Sequence, residues 1–146
     1  MELNILRADP AGNITVFVLD PVEKAQRAAI AEKIMAIPAL KAEQVGYACA
    51  AEDDVDGHME MMGGEFCGNA TRAYGMYIAQ QKGGLSAVKL RVSGCDHAVT
   101  AQVDLRSGTA RAEMPCPRSV KRVTVNGHEG TLVDLTGIAH FVVEGV

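Results

Sequence analysis

The sequence predicts an α+β fold, in which a curved and mostly antiparallel sheet or barrel wraps around a central helix. Two observations lead to this class. Apolar residues recur at helical spacing in two segments, 20–38 and 68–81, and a proline or glycines close each one. The other apolar residues lie in short runs rich in β-branched residues and separated by turn sequences. With 146 residues, the chain is long enough to bury the core of one such domain.

The first elements are predicted to be two strands and a helix. The runs "LNILRAD" and "NITVFVLD" flank the turn sequence "DPAGN". In the helix that follows, we expect Asp20 to cap the first turn, Pro21 to lie within it and Pro38 to end the helix. Its apolar face is predicted from the helical spacing to contain Val22, Ala25, Ala29, Ile30, Ile34 and Ile37.

The middle of the chain is predicted to form two strands, "VGYACAAE" and "GHMEMM", and then the central helix. This helix should run from Gly68 to Gln81 and stop at Gly83 and Gly84. Its apolar face consists of Ala70, Ala73, Tyr74, Tyr77 and Ile78. From Leu85 onward the pattern predicts only strands, with "RSG" and "NG" as hairpin turns.

Composition and charge argue against several classes of function. The net charge of −4 and the lack of a basic block argue against binding to nucleic acid or to an anionic membrane surface. The sequence shows neither a signal-peptide pattern nor an apolar run of transmembrane length. We therefore expect a cytoplasmic protein whose cysteines are thiols.

The cysteines and histidines lack the spacing of a metal site, so the sequence predicts no bound metal. Cys49 lies within a predicted strand and is expected to be a buried thiol that acts as a small hydrophobic residue. Cys95 and Cys116 are expected at the edges of loops, next to Gly94 and Pro115.

The fourth cysteine, Cys67, precedes the central helix in "GGEFCGNATRAYG". Backbone N–H groups at a helix N-terminus and the positive end of its dipole stabilise anions, so this position favours a thiolate. The same N–H groups can hold a substrate carboxylate. Gly68 allows a ligand to approach the backbone, and Asn69 offers a donor or cap. A buried cysteine followed by an ordinary helix start fits these local features equally well.

The motif "EFCGNATRA" resembles the first catalytic-cysteine motif of the diaminopimelate epimerase family, whose members racemise or epimerise amino acids without a cofactor. Cys67, Gly68 and Asn69 match its Cys-Gly-Asn core, and Glu65 and Arg72 match its acidic residue and arginine. Two further segments occur in the family's order. "AGNITVFVLD" is similar to its N-terminal Gly-Asn and strand, and "TGIAHFVV" is similar to its Gly-Asn-Pro-His segment.

The resemblance implies that residues 1–146 form a single N-terminal lobe with the diaminopimelate epimerase-like fold, and that a second lobe is absent from this chain. In the family, each lobe supplies one cysteine. One thiolate removes the α-proton of an amino acid, and the opposite thiol protonates the other face, without pyridoxal phosphate (PLP). Cys67 would be one base, Gly68 and Asn69 would hold the α-carboxylate, and Asn13 would face the substrate.

Further implications of the resemblance concern partners. The second base is expected from the other lobe, so this lobe alone is predicted to be a weak or inactive racemase. The expected partners are an amino-acid substrate and the second lobe, and a homodimer is left open.

Two departures from the family pattern concern substrate choice. His58 occupies the position at which the epimerases carry an asparagine that binds the distal end of diaminopimelate. Ile138 replaces a second substrate-binding asparagine. A site with Ile138 would hardly accept a second charged amino-acid group, so diaminopimelate is not the expected substrate. The segment "GGEFCGN" is more similar to the corresponding segment of racemases that act on other amino acids, histidine among them.

The two histidines near these motifs are interpreted differently. His58 is either a loop histidine or a contact to the substrate side chain, whereas His140, on a predicted strand, is interpreted as structural. Two alternatives to the racemase stay open at this point. One is an isomerase of a small unsaturated carboxylic acid on the same fold, and the other is a lobe that binds small anions without catalysis.

Overall fold

The computed structural model describes residues 2–145, and these residues form two helices and ten strands. Within this range, neither helix is both long and apolar enough to span a bilayer. In chain order the elements are β1 (Ile5–Ala8), β2 (Thr15–Val18), α1 (Lys24–Met35), β3 (Gln44–Cys49), β4 (Gly57–Met61), α2 (Gly68–Gln81), β5 (Ala87–Val92), β6 (Val99–Asp104), β7 (Thr109–Ala112), β8 (Ser119–Val125), β9 (His128–Leu135) and β10 (Ile138–Val142).

The first seven strands form one sheet in sequence order, β1 to β7. Its pairs are antiparallel except for β2–β3 and β4–β5. These two parallel pairs have a common cause, because α1 connects β2 to β3 and α2 connects β4 to β5. A helical crossover returns the chain to the same end of the sheet and so makes the next strand parallel. The prediction of a mostly antiparallel sheet is thus confirmed, with one parallel pair for each helix.

The sheet curls around α2. This helix contacts β4, β5, β6 and β7, and on its other side Tyr74 lies 5.4 Å from the ring of Phe17 on β2. The two edge strands border the same groove along α2, which β1 lines through Leu6 and Ala8 and β7 lines through Ala110. The architecture is therefore a half-barrel around one helix, in agreement with the curved α+β lobe expected from the sequence.

Two apolar clusters pack on this sheet, one on each face. The larger one lies between α2 and the concave face, where Phe17, Met59, Leu90 and Val99 are fully buried. The smaller one lies on the outer face, where α1 packs on Val16, Val18, Val45 and Tyr47. Alternate residues of a strand face opposite sides, so the central strands β2 and β3 are buried on both faces.

The predicted bounds of α2 are confirmed at both ends. The helix runs from Gly68 to Gln81, and Gly83 and Gly84 follow it with φ of +83° and +94°. These left-handed conformations favour glycine and end the helix.

The predicted start of α1 was wrong. The helix begins at Lys24, and the carboxylate of Asp20 binds the backbone N–H and the side-chain amide of Asn4 instead of capping the helix. The hydrogen bond from the Asn4 N–H lowers the pKa of Asp20 below its ordinary value. The predicted apolar face was also too wide. The apolar contacts of α1 with the sheet come from Ile30, Ala31 and Ile34 in its second half, while Ala25, Ala29 and Ile37 are exposed.

The last three strands form a second antiparallel sheet in the order β10-β9-β8, which the sequence did not predict as separate. Its β9–β10 turn approaches the segment before α2. A Cβ built at Gly137 in this turn would lie 3.1 Å from the Cα of Glu65. The second sheet therefore reaches the start of the central helix.

Candidate functional site

Cys67 is the N-cap residue of α2. Its backbone is extended, and its carbonyl accepts hydrogen bonds from the N–H and the hydroxyl of Thr71, at 2.9 and 2.8 Å. Its Sγ accepts a hydrogen bond from the N–H of Ala70 at 3.4 Å. The sulfur thus lies at the positive end of the helix, where backbone N–H groups stabilise negative charge.

Three amide side chains form a hydrogen-bonded chain that reaches this sulfur through Gln44. Gln44 on β3 places its Nε2 3.3 Å from the Cys67 Sγ and 2.9 Å from the Oδ1 of Asn13. Asn69 donates to the same Oδ1 at 3.2 Å and accepts from Arg72. Asn13 and Asn69, which the sequence predicted as site residues, are therefore brought together beside Cys67. Gln44 was not predicted, because its proximity depends on the parallel register of Thr15 with Gln44.

A pocket of about 450 Å³ opens beside Cys67. The side at the helix start is polar and contains Gln44, Asn69 and Arg72. Another wall is mainly apolar and comes from the second sheet and the segment before it, with Met114, Leu135 and Ile138. A pocket with one polar end and one apolar wall is suited to a small molecule that carries a charged group and a less polar side chain.

Gly68 determines how closely this wall approaches the helix. A Cβ at position 68 would lie 3.1 Å from the sulfur of Met114, so a larger residue would push Met114 away from the helix start. Asn13 does not line the pocket itself among the described residues. It lies behind Asn69 and Gln44, to which it is hydrogen-bonded.

The structure places the two histidines in different surroundings. His140 lies on a strand, β10, as expected, but it is exposed and lines the pocket, which the sequence did not predict. His58 is on β4 and not in a loop, and it is not one of the described residues that line the pocket. On β4 the side chains of Met59 and Met61 face the core, so His58, which precedes Met59 on the strand, faces outward.

The interpretation of Cys49 as a small hydrophobic residue was also wrong. Cys49 is half-buried on the outer face of the sheet, where its sulfur lies 3.5 Å from the guanidinium of Arg27. Cys95 is half-buried and Cys116 is exposed, and both lie outside strands and helices as expected.

The segment before Cys67 is held by the turn after β5. The hydroxyl of Ser93 donates to the carbonyl of Glu65 at 2.7 Å and accepts from the N–H of Met61 at 2.8 Å. One side chain thus connects the end of β4, the turn after β5 and the segment leading to Cys67.

Replacing Ser93 by alanine is expected to destabilise this region. Ser93→Ala leaves the Glu65 carbonyl and the Met61 N–H without this partner, which costs about 1–3 kcal/mol for buried groups. Thermal unfolding and amide exchange of residues 61–67 measure the effect. The control is Ser107→Ala, since the Ser107 hydroxyl contacts Thr109 in an exposed turn, and the hydrogen bond from the Ser107 N–H to Asp104 is kept in alanine. Equal shifts in the two variants would contradict the role of Ser93.

The three cysteines outside the pocket are expected to differ in reactivity. Burial raises the pKa of Cys49, with a further contribution from Glu60, and burial also raises the pKa of Cys95, with Asp96 and Glu113 adding to it. A raised pKa lowers the fraction of reactive thiolate below that pKa. At neutral pH, iodoacetamide should therefore alkylate Cys49 and Cys95 several-fold more slowly than the exposed Cys116, and the difference should shrink as the pH rises. Peptide mass mapping checks this, and equal rates at neutral pH would contradict it.

Comparison with known proteins decides the family. Residues 2–145 match the profile described as "Histidine racemase CntK N-terminal domain". The chain belongs to this family. The match covers both sheets and both helices, so every residue of the Cys67 pocket lies within the histidine racemase N-terminal domain.

Relatives of this domain occur in two bacteria. Histidine racemases from two strains of Fusobacterium nucleatum subsp. nucleatum are 33% and 32% identical to the chain over 149 residues, which cover 96% of the chain and 54% of each relative. A histidine racemase from Staphylococcus aureus is 33% identical over 122 residues, covering 81% of the chain and 44% of the relative. The chain thus spans about half the length of the curated relatives it matches.

Proposed function

We propose that this chain is the Cys67-bearing lobe of a histidine racemase that works without PLP, by proton transfer at the α-carbon between two cysteines. The observation that carries the proposal is the position of Cys67, which is at once the N-cap of α2 and part of the wall of a pocket with a polar end. Membership in the histidine racemase family supports the choice of reaction.

The polar end of the pocket suits the substrate carboxylate. The first N–H groups of a helix have no acceptor within the helix, so those of Gly68 and Asn69 are available to an anion next to the Cys67 sulfur. A carboxylate held there sits at the positive end of the helix dipole. This placement also stabilises the negative charge that develops on the carboxylate when the α-proton leaves.

The proton transfer itself needs two groups on opposite faces of the α-carbon. In the forward direction the Cys67 thiolate takes the α-proton, so that the Cα–H bond breaks, an S–H bond forms and the electron pair moves into the carboxylate. A second thiol then donates its proton to the other face. Because Cys67 is the one described cysteine in the pocket, we assign the second thiol to a second lobe, and the longer relatives support the existence of one.

The apolar wall suits a substrate whose side chain is less polar than the second zwitterionic group of diaminopimelate. Leu135 and Ile138 offer no hydrogen bond from their side chains, and an unpaired ammonium or carboxylate against them would be strongly disfavoured. An imidazole ring can pack there in its neutral form, while the nearby Glu65 and His140 provide polar atoms at the margin of the wall. Histidine therefore fits the pocket better than diaminopimelate.

The experiment is α-proton exchange in deuterated water. The full-length protein that contains this chain is incubated with L-histidine, without added cofactor, and loss of the Cα–H signal and formation of D-histidine are followed by NMR and chiral chromatography. Exchange and racemisation of histidine are expected. Exchange of other amino acids but not histidine would overturn the substrate. Turnover of unsaturated carboxylic acids alone, or binding without exchange, would overturn the reaction.

A further inference from the structure

Three metal-ligating side chains meet on the outer face of the sheet, on the side opposite α2. Cys49 on β3 pairs with His58 on β4, and Glu60 is two residues further along β4, so the three share one face. One ligand atom from each, the thiol sulfur, an imidazole nitrogen and a carboxylate oxygen, lies within 4.8 Å of the other two. The side chains of His58 and Glu60 are 20% and 23% exposed, so an ion can reach them from solvent.

The imidazole of His58 is oriented for coordination. Its Nδ1 lies 3.3 Å from the backbone carbonyl of Ala50, and its Nε2 lies 3.7 Å from the Oε1 of Glu60. A carbonyl only accepts hydrogen bonds, so the Nδ1 must carry the proton. The lone pair of the neutral ring is then on Nε2, facing Glu60 and Cys49. A backbone carbonyl on the far nitrogen is the usual outer contact of a metal-binding histidine.

Arg27 is placed as an outer partner of the same cluster. Its guanidinium forms an ion pair with the Oε2 of Glu60, and its Nη2 lies 3.5 Å from the Cys49 sulfur. The other oxygen, Oε1, is 3.6 Å from the ammonium of the exposed Lys24, which a bound metal ion would displace. The guanidinium also lies over the ring of Tyr47, 5.1 Å from its centroid, and this contact holds it beside the cluster. Hydrogen bonds of this kind orient ligating carboxylates and thiolates.

We propose that Cys49, His58 and Glu60 form a site for a divalent transition metal of the zinc type. Sulfur, imidazole and carboxylate ligands suit Zn²⁺ and Co²⁺ better than Mg²⁺ or Ca²⁺, which take oxygen ligands. Three protein ligands leave the fourth tetrahedral position to water. The Cys49 thiol gives its proton to solvent when the metal–sulfur bond forms.

The location of this site assigns it a structural role. It lies across the sheet from the Cys67 pocket, and Glu60 and Arg27 connect it to α1. A bound metal would therefore fix the first half of α1, which has few buried residues of its own, to the edge of β4.

Two titrations of the full-length protein test the proposal. Binding of Co²⁺ is monitored through the thiolate-to-cobalt absorption band, and the effect of Zn²⁺ is measured as the change in the temperature of thermal unfolding. We expect the wild type and the control Cys116→Ser to show the band and a rise in unfolding temperature with Zn²⁺. Cys49→Ser should lose the band. His58→Gln and Glu60→Gln should each weaken Co²⁺ binding by roughly tenfold or more, since loss of outer contacts alone weakens metal sites 10–100-fold.

Three results would overturn the proposal. The first is a wild type that shows neither the cobalt band nor stabilisation by Zn²⁺. The second is a cobalt band that survives in Cys49→Ser. The third is an unchanged affinity for Co²⁺ in both His58→Gln and Glu60→Gln, and this result overturns the proposal even if Cys49→Ser does not fold. Persistence of the band in Cys67→Ser distinguishes this site from the pocket.

Discussion

The full-length protein with Cys67→Ser is expected to exchange the α-proton of histidine roughly 10²–10⁴-fold more slowly than the wild type, the usual effect of removing a positioned acid or base. A serine hydroxyl keeps the size and the N-cap function of Cys67, because serine is a favoured N-cap residue. It does not ionise near neutral pH, however, so it cannot accept the α-proton. The rate is measured from the loss of the Cα–H signal in deuterated water.

Two comparisons separate loss of the base from loss of the fold. Cys116→Ser removes an exposed thiol outside the pocket and should leave the exchange rate unchanged. In Cys67→Ser, histidine binding measured by calorimetry should persist, because Gly68 and Asn69 still offer their N–H groups to the carboxylate. A Cys67→Ser protein that folds, binds histidine and exchanges its proton at the wild-type rate would show that Cys67 is not the base.

The sequence could predict α2 and Cys67 because their signals are local. The helix start follows from Cys67, Gly68 and Asn69, and its end follows from two glycines whose positive φ is required by the turn itself. The start of α1 could not be predicted in the same way. Asp20 has the side chain of an N-cap residue, but Asn4, sixteen positions earlier, takes its carboxylate. A tertiary contact thus overrides a local preference.

The two histidines show a second limit. Alternation along a strand identifies which residues share a face, but it does not say which face looks towards the helix or the pocket. His58 alternates with the core residues Met59 and Met61 and so faces away from α2, while His140 lies on the second sheet, which lines the pocket beside the start of α2. The sequence could not predict either placement, because each depends on how the chain curls and on where the second sheet lies.

Gln44 shows the same limit for the site itself. Its amide reaches Cys67 only because β3 lies parallel to β2, in the register that sets Gln44 beside Thr15. That register results from the crossover through α1. Gly68 and Asn69 were therefore predicted from their place next to Cys67, and Asn13 from the family resemblance. Gln44, which reaches Cys67 through strand pairing, was not predicted.

Gly94→Ala is expected to have the largest effect on stability. Gly94 has a φ of +75°, and a Cβ built there would lie 2.2 Å from the backbone nitrogen of Phe66 and 2.8 Å from its Cα. These are backbone atoms, so no rotation of a side chain relieves the overlap. The segment leading into Cys67 must move, or the turn after β5 must open. Left-handed strain and overpacking together should cost roughly 3–5 kcal/mol.

A matched control exists in the same sheet. Gly108 also has a positive φ, +66°, but a Cβ there meets nothing within 4 Å. Gly108→Ala should therefore cost only the conformational strain, about 1–2 kcal/mol. Thermal unfolding of both variants measures the difference, and histidine exchange reports whether Cys67 has shifted. If the two alanines lower the unfolding temperature equally, conformational strain alone explains Gly94. A larger loss in Gly94→Ala, with slower exchange, would show that the close approach of Gly94 to Phe66 holds Cys67 in place.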